Sequence, residues 1–161
     1  MPGRSLRIDL AAQCLELCEG DVTVKRYPVS TARNGAGEDD GSECTPRGLH
    51  RIESKIGGGE VRGAVFVGRE PTDEVCDASL FAASPGRDWI LTRILWLEGC
   101  EPGRNQGGSV DSHARYIYIH GCPDALPLGV PASHGCIRMS NDDVIELYER
   151  VEVGDPVEIC E

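Results

Sequence analysis

Apolar residues in this chain come in short β-prone runs, each closed by turn chemistry, and a chain punctuated in this way folds as sheet rather than as bundle. Leu6–Leu10, Cys14–Cys18 and Val22–Tyr27 are separated by Ala-Ala-Gln and by Glu19-Gly20-Asp21, the pattern of an antiparallel meander. Further strands are predicted at Leu49–Ile52, Ala64–Val67, Ile90–Leu97 and Tyr116–Ile119, the last two rich in β-branched and aromatic residues. Pro156–Cys160 reads as a closing strand. Arg33–Glu43 and Cys100–Asp111 are glycine-rich polar loops, Thr45-Pro46-Arg47-Gly48 is a turn, and Gly57-Gly58-Gly59 is a flexible break. Residues 69–88 mix acids, prolines and small residues and read as a long connection, with room for a short helical turn.

One helix is well signalled. Ser140 stands at its N-cap, Asp143 follows three residues on as an acidic variant of the capping box, and two acids occupy the first turn. Val144, Leu147, Tyr148 and Val151 then make one apolar face, and Gly154 is expected to end the helix. The class expected is mainly β, a sandwich or barrel-like fold with one clear helix in the C-terminal half. At 161 residues the whole chain, 1–161, reads as a single domain able to bury a real core. Only 5% of it is aromatic, so that core is mostly aliphatic, with Trp89 and Trp96 expected inside it.

The formal net charge of −11 disfavours phosphate backbones and anionic lipid surfaces, so no nucleic-acid partner is expected. An anionic small substrate stays open, because a few arginines at a cleft override the mean field. Arg93, Arg104 and Arg115 are candidates, with a solvated surface position as the competing reading of each. No stretch approaches the roughly 18–20 apolar residues of a membrane span. The first ten residues show no secretory apolar core, so the expected location is cytoplasmic, with the periplasm as the alternative for a longer precursor. The eight cysteines are scattered without a Cys-x-x-Cys pair, which removes the zinc-ribbon and thioredoxin patterns and favours reduced thiols over a disulfide framework.

The chemistry gathers after residue 115. The strand ending at Ile119 delivers His120 and Gly121, a loop with Pro123, Pro127 and Pro131 returns the chain to Ser133-His134-Gly135-Cys136, and Ile137-Arg138-Met139 leads into the capped helix. Amide cleavage by a thiol needs a thiolate, a base to hold its proton and donors for the oxyanion. A neighbouring imidazole is expected to lower the thiol pKa, making His120 the base for Cys136. Gly121 would let the chain bend and offer its carbonyl to the other ring nitrogen. The N–H groups of Gly135 and Cys136 are candidate oxyanion donors. Two other readings stand beside this one. Cys136 can be a buried small hydrophobe and His120 a structural hydrogen-bonding residue. His120, Cys122, His134 and Cys136 can also be weighed as a zinc site, although their spacing matches no usual pattern.

Ile119-His120-Gly121 followed by Ser133-His134-Gly135-Cys136-Ile137-Arg138-Met139 resembles the signature of the L,D-transpeptidase catalytic domain, the YkuD family. Val29–Gly35 with Thr45-Pro46-Arg47-Gly48 is similar to the family's segment ending in a Thr-Pro-x-Gly turn, and the likeness continues through Asn141–Ile159. The resemblance implies a β-sandwich and a cysteine enzyme acting on peptidoglycan stem peptides, with Cys136 as nucleophile, His120 as base and the Gly121 carbonyl as third member. His134, Arg138 and Ser133 fall at the remaining polar positions of the motif. His134 would shape the pocket, Arg138 would bind a substrate carboxylate or brace the loop, and Ser133 would line the site or support it structurally. No cofactor or metal is implied. Cys122 stands where the family usually has threonine or serine, which suggests a Cys122–Cys136 disulfide as an oxidative off-switch.

The implied reaction breaks the bond between the L-centre of a stem tetrapeptide's third residue and the terminal D-alanine, through a thioester. With water as acceptor the enzyme is an L,D-carboxypeptidase, and with a second stem's amine it is a cross-linking transpeptidase. The cytoplasmic expectation favours water and soluble muropeptides. A non-catalytic wall-binding module is the alternative from another class. Loop 33–44 and segment 69–88 are candidate walls of the substrate cleft.

Overall fold

The computed structural model describes residues 3–161. The meander predicted at the start is present: β1 (Arg4–Asp9), β2 (Cys14–Glu19) and β3 (Val22–Pro28) pair antiparallel in sequence. Alternation explains their packing, since Leu6 and Ile8 of β1 face Leu17 and Leu15 of β2 and all four are buried. The last strand, β10 (Pro156–Cys160), adds parallel to β1 with Leu6 opposite Val157 and Ile8 opposite Ile159. Next come β4 (Gly48–Ile56), β7 (Ile90–Gly99) and the hairpin of β5 (Ala64–Val67) and β6 (Glu70–Val75). The sheet order is β3-β2-β1-β10-β4-β7-β5-β6.

Strand β7 is the branch point. It also pairs with β8 (Tyr118–Gly121), which pairs in parallel with β9 (Ile137–Met139). All ten strands therefore form one connected sheet, whose parts close over a shared aliphatic core containing Leu6, Ile8, Leu15, Leu97, Ile119, Ile137 and Ile159. Helix α2 (Asn141–Arg150) packs on β7 and β8 and sends Val144 and Leu147 into that core. Its N-cap is Ser140, whose hydroxyl accepts from the Asp143 N–H at 3.1 Å. The helix ends at Arg150, with Val151 already extended. Gly154, expected to terminate it, instead occupies the left-handed position (φ 95°) of the turn into β10.

Three other readings are corrected. Residues 69–88 hold the short helical segment expected there, α1 (Ala78–Ala83) capped by Asp77, but also a strand, β6, that was not expected. β6 is polar and carries Pro71, features that an edge strand tolerates and that hide it from apolar patterning. The strand predicted from Tyr116 begins at Tyr118, because Tyr116 closes a turn from His113 with a left-handed φ of 57°. His120 therefore lies inside β8 rather than beyond its end. Trp89 is buried as expected, while Trp96 is only partly covered and stacks on His113 at 3.9 Å between ring centroids.

Candidate active site

Parallel pairing of β8 and β9 builds the site. Ile119 faces Ile137 and both enter the core; one residue on, His120 faces Arg138 on the opposite side of the sheet. Tyr118 and Cys136 stand one pleat earlier on that same outward face, with the Tyr118 N–H donating to the Cys136 sulfur at 3.4 Å. Tyr118, His120, Cys136 and Arg138 thus line one cavity of about 570 Å³, together with Arg69, Asp88, Arg115, Ser133 and His134.

The cysteine loop lies on a bed supplied by residues 30–45. Ser30 and Arg138 exchange backbone hydrogen bonds at 2.9 Å, and the Ser133 N–H donates to the Thr31 carbonyl. The Thr45 hydroxyl donates to the Gly135 carbonyl at 2.9 Å and accepts from the Ala32 N–H. Gly135 has φ 135°, a conformation that favours glycine. The upstream Ser-Thr-Ala-Arg and Thr-Pro segments therefore hold the Cys136 loop from beneath.

His120 is buried, and its Nδ1 lies 2.7 Å from the Gly121 carbonyl. A carbonyl only accepts, so Nδ1 carries the proton and Nε2 presents a lone pair. Burial pushes the ring pKa below its ordinary value, opposed by the Gly121 hydrogen bond, and the imidazole is neutral at pH 7. The expected lowering of the Cys136 pKa is not seen. Burial pushes the thiol up to about 12, and no hydrogen bond joins it to His120 among the described residues. The thiol instead donates to the Tyr116 carbonyl at 3.2 Å. The resting pair is thus a thiol and a neutral imidazole rather than a preformed ion pair.

Gly121 is glycine for a reason other than flexibility. It has no left-handed φ, but a Cβ there would stand 2.5 Å from Asn141 Oδ1 and 2.7 Å from the Leu91 carbonyl. Asn141 accepts from the Thr92 hydroxyl at 2.6 Å and donates to the Cys122 carbonyl at 2.9 Å, bracing the chain just past the histidine. Nothing in the sequence pattern marks Thr92 and Asn141 as partners, since they are brought together only by α2 docking on β7.

The other expected positions divide. The Gly135 N–H, a candidate oxyanion donor, is directed to the Ser133 hydroxyl at 3.2 Å, while among the described residues no side chain engages the Cys136 N–H. Ser133 donates to the Cys136 carbonyl at 2.6 Å, so its hydroxyl ties the loop together instead of facing a ligand. His134 is exposed at the rim. Arg138 makes one long contact, 3.4 Å to the Ala132 carbonyl, and no ion pair among the described residues. Arg115 is a cavity residue whose guanidinium donates to the carbonyls of Glu38 and Cys44 and so pins loop 37–44. Arg93 is buried rather than solvated, and Arg104 lies on the surface beside Glu101. Arg69, Asp88, Tyr116 and Tyr118 are cavity residues that the sequence motif does not contain.

Two alternatives fall on geometry. Cys122 donates to the Met139 carbonyl, and no trio of His, Cys, Asp or Glu is gathered for a metal among the described residues, so the zinc reading has no ligand set. In the β8–β9 register Gly121 faces Met139 and Cys136 stands level with Tyr118, leaving Cys122 and Cys136 four positions apart. That is about 13 Å at the strand rise, beyond the roughly 7 Å limit for a disulfide. The Cys122–Cys136 switch is therefore excluded in this fold.

The family model for the L,D-transpeptidase catalytic domain (YkuD) matches residues 3–159. The chain is similar to a probable L,D-transpeptidase 3 of Mycobacterium tuberculosis, 46% identical over 50 residues, which is 30% of this chain and 18% of that protein. It is also similar to the putative L,D-transpeptidase YqjB of Bacillus subtilis, 28% identical over 108 residues, covering 63% of this chain and 61% of that one. Among solved structures, M. tuberculosis L,D-transpeptidase 3 carrying a faropenem-derived adduct superposes over 99% of this chain and 61% of its own, with TM-score 0.60 and 20% identity. The likeness to that structure is one of fold. The chain spans less than two thirds of the length of each of these relatives.

Proposed function

Because the chain belongs to the L,D-transpeptidase catalytic domain family, we propose that it transfers the acyl group of a peptidoglycan stem peptide through a thioester on Cys136. One observation carries the reading: the outward face of β8–β9 sets the Cys136 thiol and the proton-free Nε2 of His120 in one cavity, which Arg69, Arg115 and Arg138 also line. Sulfur attacks the carbonyl of the stem's third residue while its proton passes to Nε2, and the Cys136 N–H faces the developing oxyanion. Collapse expels D-alanine, whose nitrogen takes that proton from His120. The Gly121 carbonyl holds the ring and stabilises the transient imidazolium. Arg138, and with it Arg69 and Arg115, offers positive charge to the stem's carboxylates.

Water is the acceptor we take first, which makes the protein an L,D-carboxypeptidase. Hydrolysis needs only the donor and one water beside the thioester, whereas a cross-link needs a second peptide seated there as well. Such a hydrolase would serve soluble muropeptides in the cytoplasm, a location that cell fractionation tests directly. Incubation with a soluble tetrapeptide separates the outcomes: tripeptide plus free D-alanine supports hydrolysis, and cross-linked dimer with little tripeptide overturns it. Intact-mass analysis of wild type and Cys136→Ala reads the thioester itself.

A further inference from the structure

The Cys136 sulfur meets two backbone groups of one short segment. It donates to the Tyr116 carbonyl at 3.2 Å and accepts from the Tyr118 N–H at 3.4 Å. The two act oppositely on the proton, because an N–H favours the thiolate whereas a carbonyl binds only the thiol. To hand its proton to His120, the sulfur must first give up Tyr116. That carbonyl is aimed at the sulfur by a backbone that tyrosine disfavours, since residue 116 has the left-handed φ of 57°. The preceding turn holds it there: the Tyr116 N–H donates to the His113 carbonyl at 3.0 Å and the Ile117 N–H to the Ser112 carbonyl at 3.2 Å.

The Tyr116 ring is held as well. It is 53% exposed and lines the catalytic cavity. The Arg69 guanidinium lies 5.1 Å from its centre and 4.7 Å from that of Trp96, and donates to the Tyr118 hydroxyl at 3.1 Å. Arg69 is itself left-handed (φ 67°), stands between β5 and β6, and pairs with no acid among the described residues. Two strained residues thus meet at the wall of the cavity that holds the thiol. Such strain persists only where the surroundings over-determine it, and an anion that draws the guanidinium away removes one of those surroundings.

We infer that the Tyr116 carbonyl is a latch on the nucleophile. At rest it keeps Cys136 a thiol unbonded to His120. A carboxylate of the acyl donor that pulls Arg69 off the Tyr116 ring lets residue 116 leave the left-handed region, which swings the carbonyl aside and frees the sulfur. The trigger rests on the acyl-transfer reading above, and the latch does not.

Tyr116→Gly and Tyr116→Ala lose the same ring, but only glycine takes the left-handed turn without cost, so glycine keeps the latch shut more of the time. Alkylation by iodoacetamide, in which the sulfur displaces iodide and its proton goes to buffer, is followed at the Cys136 peptide by mass spectrometry. At pH 7.5 the alanine variant should react about tenfold faster than the glycine variant, the population effect of one left-handed alanine, and its rate should level off at lower pH. Asp88, Arg115, Arg138 and His120 are common to both, so the contrast isolates residue 116. Arg69→Gln, which leaves residue 116 intact, should react faster than wild type, whereas loss of a nearby cation alone would slow the reaction. With a soluble tetrapeptide, a ligand-opened latch places the cost of opening in binding, so KM should be about tenfold higher for glycine than for alanine at similar kcat. Equal alkylation of the two Tyr116 variants, or slower alkylation of Arg69→Gln, overturns the latch. A difference in kcat at equal KM overturns its opening by ligand. If wild type forms no thioester while the alkylation contrast holds, the latch stands and the acyl-transfer reading is the one that fails.

Discussion

Gly121→Ala perturbs the protein at one atom whose surroundings are fully defined. The new methyl would stand 2.5 Å from Asn141 Oδ1, 2.7 Å from the Leu91 carbonyl and 3.3 Å from Thr92 Cβ. None of these yields easily. Leu91 belongs to β7, and Asn141 is held by Thr92 at one end and by the Cys122 carbonyl and Asp124 at the other. Restoring normal contact moves β8 off β7 by about 0.5–0.7 Å, an overpacking cost of about 1–3 kcal/mol. Weakening the Thr92–Asn141 hydrogen bond adds about 1 kcal/mol. Urea unfolding should therefore show a loss of about 2–4 kcal/mol with an unchanged m-value. The same shift moves the carbonyl that holds His120 Nδ1 at 2.7 Å. A displacement of this size lowers the rate of thioester formation by about tenfold or more in protein that is still folded. Gly121→Ala/Asn141→Ala should recover part of the packing cost but not all, because Leu91 O remains. A Gly121→Ala variant within about 0.5 kcal/mol of wild type and equally fast would falsify the close-approach explanation for this glycine.

His50 is buried between the Gly48 carbonyl at 3.0 Å and the Ser112 hydroxyl at 2.8 Å, and burial lowers its pKa to about 4. The unfolded chain, with an imidazole near 6.5, binds the proton first, so this contribution is intact above about pH 6.5 and is lost as pH falls to 4. The loss totals about 3 kcal/mol, and urea midpoints at pH 7 and pH 4 should diverge less in His50→Gln than in wild type. With its thiol pushed up to about 12, Cys136 should react with iodoacetamide more slowly at pH 7.5 than a free cysteine, its rate still rising at pH 10. A plateau below pH 9 would show that the resting state is an ion pair after all. Arg115→Lys removes the forked contacts to Glu38 and Cys44 and should expose loop 37–44 to limited proteolysis, visible as a new cleavage band in that segment.

The faces taken by His120 and by Cys136 were legible because strand alternation is local. Tyr118 and His120 are two apart, as are Cys136 and Arg138, so each pair shares a face whatever the rest of the chain does. The parallel register that lays one pair beside the other was not legible, since β9 is three residues long and reaches β8 through a proline-bearing loop. Depth was equally hidden. The motif points to a candidate nucleophile and base, but the direction of the thiol pKa depends on how much protein surrounds the sulfur, a sum over the strands and the loop bed packed around it. Asp88 lay in a stretch read as a connection and as a candidate wall of the cleft, but nothing in that stretch singled it out, and it stands beside the buried Trp89. The overall charge of −11 pointed away from anionic ligands at long range. Around the thiol the order reverses, with Arg69, Arg115 and Arg138 lining the cavity and Asp88 as the one acid of its lining among the described residues. Mean charge governs approach over a Debye length of about 8 Å, and inside a cavity lined at contact distance the local arginines decide what binds.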